Sequence, residues 1–428
     1  MTFFNKLIEK AIVFAFSLLL LEGLFHKALE IQLQDRNSTW TKITPYRLFP
    51  SEILFYGPVL ILGGFLFLTS NLRILRRSDS FFLIILLSIG GLQAFRGWIR
   101  QSNDVLWLED LRQLFLMMIF APIFATLGTR VRIAWVLDWF SKIATIIAVL
   151  NGLFGLMLLL GLRSRGGEFD THFSAGQILV IPYSFELARG MLTGRIAWIR
   201  LSCLAFGIIA PLEKPVLATI VFAMASIAFL LPRLLMKVQL SWIKAGLAFG
   251  ASIAITITLV YSFAGREARD WLSARFLKTN VKEQDRDISS GRFEMWEWGI
   301  DRFFDDPLIG VGLGDRRVTY GLDGKTYLIP LHNLSIELLC LTGILGITMF
   351  GLAFVIYLQR LRLLVRSLTS EPINCAVVVA IGAYALSMLL VSQLGRNLGV
   401  ANAGLIFWSL IGFARTLERR QELLQRLS

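Results

Sequence analysis

Apolar runs of the kind that cross a bilayer recur along the whole chain, and they constrain it more than any other feature. Residues 12–25, 54–69, 135–162, 216–231, 245–263 and 334–358 are such runs. A soluble core cannot enclose so many. In lipid, by contrast, a helix satisfies its own backbone hydrogen bonds. With 55% hydrophobic and 17% charged residues, no soluble domain separates from the rest. The expected fold class is an all-α integral membrane protein with about twelve transmembrane helices and one large loop.

The charges of the links orient these helices. Basic links at 71–79 (Arg73, Arg76, Arg77), 128–133 (Arg130, Arg132), 189–195, 232–237 and 359–366, and the tail with Arg415, Arg419, Arg420 and Arg426, are assigned to the cytoplasmic side by the positive-inside rule. The spans predicted are 8–25, 51–69, 81–97, 111–127, 135–162, 174–188, 196–211, 216–231, 241–262, 333–358, 375–392 and 402–417, with both termini inside. The external links are then 26–50, 98–110, 163–173, 212–215, 263–332 and 393–401. This divides the chain into spans one to nine (1–262), a large external loop (263–332), and the last three spans with a tail (333–428). The basic stretch 1–10 leads into an apolar segment without a small-residue cleavage site, so it reads as the start of the first helix.

The net charge is +13, and the external links share in the excess of Arg and Lys. Solvation and lipid headgroups account for such charges. So does a cationic site for a polyanion such as a diphosphate, whose oxygens suit the planar fork of arginine. Cys203, Cys340 and Cys375 lie within apolar runs and lack metal-ligand spacing, so they read as small hydrophobic residues. Few general bases are available among the three histidines, His26, His172 and His332.

Loop 263–332 is the most informative stretch. Residues 266–286 read as an amphipathic helix for a membrane surface, with Trp271, Leu272 and Phe276 beside Arg275 and Lys278. A second helix is predicted from near Arg292 to about Phe304, capped by Ser289 or Ser290 and stopped by Asp305-Asp306-Pro307. Gly310-Val311-Gly312-Leu313-Gly314 lacks the P-loop lysine pattern and a flanking βαβ unit. It reads as a tight turn that lets the backbone approach another group. His332 precedes a helix whose dipole disfavours the imidazolium. It is either an interfacial cap or a neutral general base facing the outer compartment.

Four pieces in order resemble the O-antigen ligase and polymerase superfamily. They are Arg292-Phe293-Glu294-Met295-Trp296, then Pro307-Leu308-Ile309-Gly310-Val311-Gly312, then His332-Asn333-Leu334, then Gly343-Ile344-Leu345-Gly346. Each alone is weak, but the ordered set is specific. A looser likeness extends to the basic link Arg163-Ser164-Arg165-Gly166-Gly167-Glu168-Phe169, and to Glu213-Lys214, which stands where many members have Ser-Arg. Lysine there keeps the charge and loses the bidentate fork.

The resemblance implies a GT-C-like membrane glycosyltransferase of the bacterial inner membrane with its active site facing the periplasm. The donor would be an undecaprenyl-diphosphate-linked glycan. The acceptor would be lipid A–core for a ligase, or a second lipid-linked repeat unit for a polymerase. No metal or other cofactor is implied, and no nucleic acid; the remaining partners are membrane lipids. His332 would accept the proton of the attacking hydroxyl. Arg292, with Lys214, Arg163 and Arg165, would bind the diphosphate. Arg266 is grouped with them, and Asn333 and Arg396 are supporting residues. Solvation or lipid contact is the preferred account of Arg266 and Arg396 over catalysis, and helix capping that of Asn333 over orienting the histidine. A transporter or flippase is the alternative of a different class, for which the charges Glu22 and Lys142 within spans are the sequence feature. A structural subunit that positions other enzymes is a further one.

Overall fold

The structure, a computed structural model, describes residues 3–24, 31–33, 46–48, 77–100, 107, 110–159, 173–211, 214–231, 292–314, 317–320, 326–329, 331, 333–393 and 401–427. The chain divides into two compact units, each assembled from separated stretches. The first comprises Met1–Glu30, Arg130–Ile288 and Leu364–Ser387; the second comprises Ile31–Thr129, Ser289–Leu363 and Met388–Ser428.

Helices α1 (Phe3–Leu24), α4 (Ile133–Leu159), α5 (Phe173–Thr193), α6 (Trp198–Ile209) and α7 (Lys214–Leu230) belong to the first unit. Phe16, Leu19, Leu20 and Leu24 recur at helical spacing on α1 and are fully buried, with the Phe16 ring edge-on to Phe140 at 5.7 Å. Small residues set the close approaches. A methyl carbon added at Gly23 would lie 2.7 Å from the Ala175 amide nitrogen, and one at Gly176 would lie 2.6 Å from Val216 Cγ1. The start of α4 is capped from outside, because the buried Glu9 carboxylate of α1 accepts the Arg132 backbone N–H at 2.8 Å and its guanidinium at 3.1 Å.

Charge inside this unit is paired. The Glu186 side chain is fully buried and accepts from Arg189 (2.6 Å), Arg200 (3.1 Å) and the Ser141 hydroxyl (2.7 Å). Asp138 accepts from Arg189 at 2.6 Å and from Lys142 at 2.8 Å. A carboxylate taken out of water costs several kcal/mol unless it is matched in this way, so the network specifies how α4, α5 and α6 meet.

The second unit contains α2 (Arg77–Ile99), α3 (Phe120–Gly128), α8 (Arg292–Asp305), most of α9 (Leu334–Ser367) and α11 (Ala401–Leu427); α10 (Pro372–Val391) starts in the first unit and ends in the second. Helix α3 lies along α11, where Phe124 meets Phe413 edge-on at 5.3 Å and the Thr416 hydroxyl donates to the Ala125 carbonyl at 2.7 Å. Arg420 donates to the Gly128 carbonyl at the end of α3 at 2.9 Å, which suits a cation to that helix terminus. Two short antiparallel strand pairs complete the described elements: Ile31–Leu33 with Tyr46–Leu48, and Arg317–Tyr320 with Thr326–Ile329.

Apart from 51–69 and 241–262, which lie outside the described residues, every predicted span falls on helix. Two spans differ from continuous α-helix. In 111–127 a π-helical turn (Leu111–Phe115) and a 3-10 turn (Leu116–Ile119) precede α3. Pro122 has no N–H to give to residue 118, and its ring crowds that carbonyl, which suits it to the first turn of α3. Span 333–358 is broken at Gly343, where φ is 65° and ψ −169°.

By length and composition, three helices among the described residues can cross a membrane: Ile133–Met157, Leu334–Ser367 and Pro372–Val391. The part of α9 beyond Gly343 extends about 36 Å at 1.5 Å per residue, more than a hydrocarbon core of roughly 30 Å. Apolarity on this scale makes the chain an integral membrane protein.

Candidate functional site

The break at Gly343 explains what the glycine-rich turn is for. A glycine with positive φ interrupts the α9 ladder and releases backbone groups on both sides of it. Residues 307–312 take them up. The amides of Val311 and Gly312 donate to the carbonyls of Cys340 (2.9 Å) and Leu341 (3.2 Å), while the amides of Ile344 and Leu345 donate to the carbonyls of Pro307 (2.9 Å) and Leu308 (3.1 Å). In an unbroken helix Ile344 and Leu345 would have paired with those same carbonyls of Cys340 and Leu341. The two sequence motifs, Pro307 to Gly312 and Gly343 to Gly346, are therefore the two halves of one backbone joint. There is no room in it for a side chain: a methyl carbon at Gly310 would lie 2.6 Å from the Gly343 nitrogen.

Helix α2 supports the joint. Arg96 pairs with Asp306, the residue at which α8 stops, and the amide of Gln93 donates to the Ile309 carbonyl. Arg100 donates to the Val311 carbonyl at 2.9 Å, and Leu313 donates to the Gln93 carbonyl at 3.1 Å. The fully buried Asp110 accepts the Gly314 amide at 3.0 Å, and the Gly310 amide bonds to the Asp306 carbonyl at 2.8 Å. Every amide from Gly310 to Gly314 is thus engaged by the protein itself. A phosphate-cradling loop needs those donors free, so this turn is a structural fastener.

Upstream of the joint, α8 carries the arginine–tryptophan motif. Arg292 is its first residue, and Trp296 follows one turn later. The Trp296 indole donates to the Leu331 carbonyl at 3.0 Å, which brings α8 beside the chain position just before His332. On the far side Asn333 caps α9, as the sequence suggested. Its side-chain oxygen accepts from the Ile336 amide at 3.1 Å, its amide nitrogen donates to the Gln393 carbonyl at 2.9 Å, and Leu334 donates to the Ser392 carbonyl at 2.9 Å.

Of the residues singled out from sequence, Arg292 and Asn333 thus belong to one assembly in the second unit, and Lys214 is the first residue of α7 in the first unit. His332, Arg163, Arg165, Arg266 and Arg396 lie outside the described residues, as does the amphipathic segment 266–286. Gln93, Arg96, Asp110 and Asp306 were missed as supporting residues. Only Asp306 carried a local signal, as a helix stop. Arg96 is 210 positions from its partner, beyond the reach of any spacing rule. Among the described residues no group of three His, Cys, Asp or Glu side chains is placed to hold a metal ion.

The family described as O-antigen ligase matches residues 195–351. Over that segment the chain is similar to the O-antigen ligase family. The segment takes in α6, α7, α8, the glycine joint and the first half of α9, and with them Lys214, Arg266, Arg292, His332 and Asn333. No curated protein matches the chain. Ligase/polymerase-type glycosyl transfer is the activity that this similarity supports.

Proposed function

We propose that this chain is a metal-independent inverting glycosyltransferase of the O-antigen ligase type, acting at the periplasmic face of the inner membrane. It transfers a glycan from undecaprenyl diphosphate to a hydroxyl of lipid A–core. The observation that carries the reading is the match over 195–351, which encloses the ordered motifs. Two physical arguments add to it. Lys214 and Arg292 each open a helix, of 17 and 14 residues. A helix N-terminus repels cations and attracts anions. A ligand of multiple negative charge, such as a diphosphate, would offset the repulsion that a lysine or arginine meets at such a position. In addition, one of the two charges that suggested transport is paired: Lys142 lies 2.8 Å from the Asp138 carboxylate.

In the proposed step, His332 takes the proton of the acceptor hydroxyl as its oxygen bonds to the anomeric carbon from the face opposite the phosphate. The bond from that carbon to the phosphate oxygen breaks, and undecaprenyl diphosphate leaves. Arg292 and Lys214, with Arg163, Arg165 and Arg266, stabilise the charge that builds on the leaving group, the task a metal performs elsewhere. Asn333 acts by fixing the start of α9.

Deleting the gene and displaying surface polysaccharides on a gel tests the assignment. A ligase predicts loss of all core-linked polymer while lipid-linked polymer accumulates. Core carrying single repeats instead makes the protein a polymerase, and an unchanged ladder overturns both.

A further inference from the structure

We infer that the end of α8 and the glycine joint are seated at the membrane–water boundary, with Phe304 and Leu308 among the lipid acyl chains. The partner is the bilayer itself, and this placement does not depend on the chemistry proposed for His332 and Arg292. Phe304 and Leu308 are each 69% exposed, and Ile300, one turn before Phe304, is exposed as well. Helical geometry gives α8 three sides. Met295 and Gly299 are buried on the first, where a methyl carbon at Gly299 would lie 2.9 Å from Ile336 Cγ2 and 3.0 Å from the Leu331 side chain. Glu297, Asp301 and Asp305 recur at every fourth residue as an exposed acidic row. Ile300 and Phe304 lie about 80° round from that row. The exposed surface of α8 is thus divided between acidic and apolar residues.

Helix α9 shows what covers the apolar part. Leu308 adjoins it: the Leu308 carbonyl accepts the Leu345 amide at 3.1 Å, and the Pro307 carbonyl accepts the Ile344 amide at 2.9 Å. Ile344 and Leu345 are themselves exposed, and an exposed stripe runs on from Leu345 through Thr348, Leu352 and Val355. Since α9 can cross a membrane and its most apolar window is only 33% buried, this stripe faces lipid. The apolar surface at Leu308 continues it. The depth of the joint follows from the same helix. Arg360, Arg362 and Arg366 mark one boundary of the span. Gly343 lies about 26 Å before Arg360 at 1.5 Å per residue, and the hydrocarbon core is roughly 30 Å thick. The joint therefore falls within about one turn of the opposite boundary. Two further observations agree with that depth. Phe95 and Trp98 are exposed on the end of α2 that holds the joint through Arg96 and Arg100, and tryptophan concentrates at membrane interfaces. The joint also satisfies its own amides from Gly310 to Gly314, as irregular backbone must where water is scarce.

The test puts single spin labels on the full-length protein in liposomes. Cys203 is replaced by alanine, while Cys340 and Cys375 are fully buried and stay. Labels are attached to Phe304→Cys, Leu308→Cys, Asp301→Cys and Leu352→Cys, one at a time. Relaxation by oxygen, which concentrates among acyl chains, is compared with relaxation by a water-soluble nickel chelate. Phe304→Cys and Leu308→Cys are expected to resemble Leu352→Cys, with an oxygen-to-nickel ratio several-fold above that of Asp301→Cys on the acidic row. Thermal midpoints close to that of the unlabelled parent show that each label reports the native fold, and Phe304→Cys and Leu308→Cys report independently. No turnover is needed, so the outcome is separate from that of the proposed reaction. Relaxation dominated by nickel at both positions places the end of α8 in water and overturns the inference. Weak relaxation by both reagents overturns it too, because protein then covers the surface in place of lipid.

Discussion

His332→Ala is expected to reach the membrane at wild-type level and to lose transfer activity by about 100- to 10,000-fold, the range ascribed to a positioned general base. The hydroxyl of a sugar is a poor nucleophile until its proton is taken, and the chain has few side chains suited to taking it. Flanking residues are held by bonds of their own: Trp296 donates to the Leu331 carbonyl, Asn333 caps α9, and Leu334 donates to the Ser392 carbonyl. Removing the ring should therefore leave the fold intact. The measurement is single-turnover transfer by purified protein at saturating donor, beside a thermal unfolding curve. A variant that turns over at the wild-type rate returns the histidine to the role of an interfacial residue.

Gly310→Ala is expected to have the largest effect on stability, a loss of about 3 kcal/mol or more. Its φ of 74° costs an alanine roughly 1 kcal/mol or more, and the added methyl would meet the Leu341–Gly343 backbone, which cannot step aside without breaking the joint. Gly343→Ala should be comparably damaging by a second route. Besides the strain at φ 65°, alanine favours continuous helix. The Ile344 and Leu345 amides would return to the Cys340 and Leu341 carbonyls and leave the Pro307 and Leu308 carbonyls and the Val311 and Gly312 amides without those partners. Gly351, on the same helix, is the control. Nothing lies within 4 Å of a methyl carbon built there, so Gly351→Ala should be neutral or stabilising by up to about 1 kcal/mol. Thermal unfolding in detergent ranks the three. Equal midpoints for Gly310→Ala and Gly351→Ala would contradict the joint.

What could be read in advance follows from the reach of each signal. Apolar runs and alternating basic links are local, and they located the described helices, although α9 and α11 run on to Ser367 and Leu427, past the predicted ends at 358 and 417. Helix α8 was legible at both ends, from its apolar stripe and from Asp305-Asp306-Pro307, and it runs from Arg292 to Asp305. The turn 310–314 was correctly read as a close backbone approach, but its partner could not be named. Gly343 is buried in an apolar run, and only the pairing with Pro307 to Gly312 makes it a break. The strand pair Arg317–Tyr320 and Thr326–Ile329 had its signal too, with Asp323-Gly324 between two β-prone stretches. The pairs Arg96–Asp306 and Asp110–Gly314 had none, because a contact between groups some 200 residues apart becomes visible only when the chain is folded. Of the proposed site, the motif order gave the residues and the fold adds the reason for the glycines and the tryptophan.

The most direct measurement is transfer by the purified protein alone. The protein is placed in liposomes with undecaprenyl-diphosphate-linked glycan and lipid A–core, in the presence of excess chelator, and both products are followed by mass spectrometry. Glycan joined to the core with inverted anomeric configuration, together with one undecaprenyl diphosphate released per transfer, is the predicted result. Donor crossing the bilayer uncleaved, or transfer only when a divalent cation is restored, would contradict a metal-independent transferase built on His332 and Arg292.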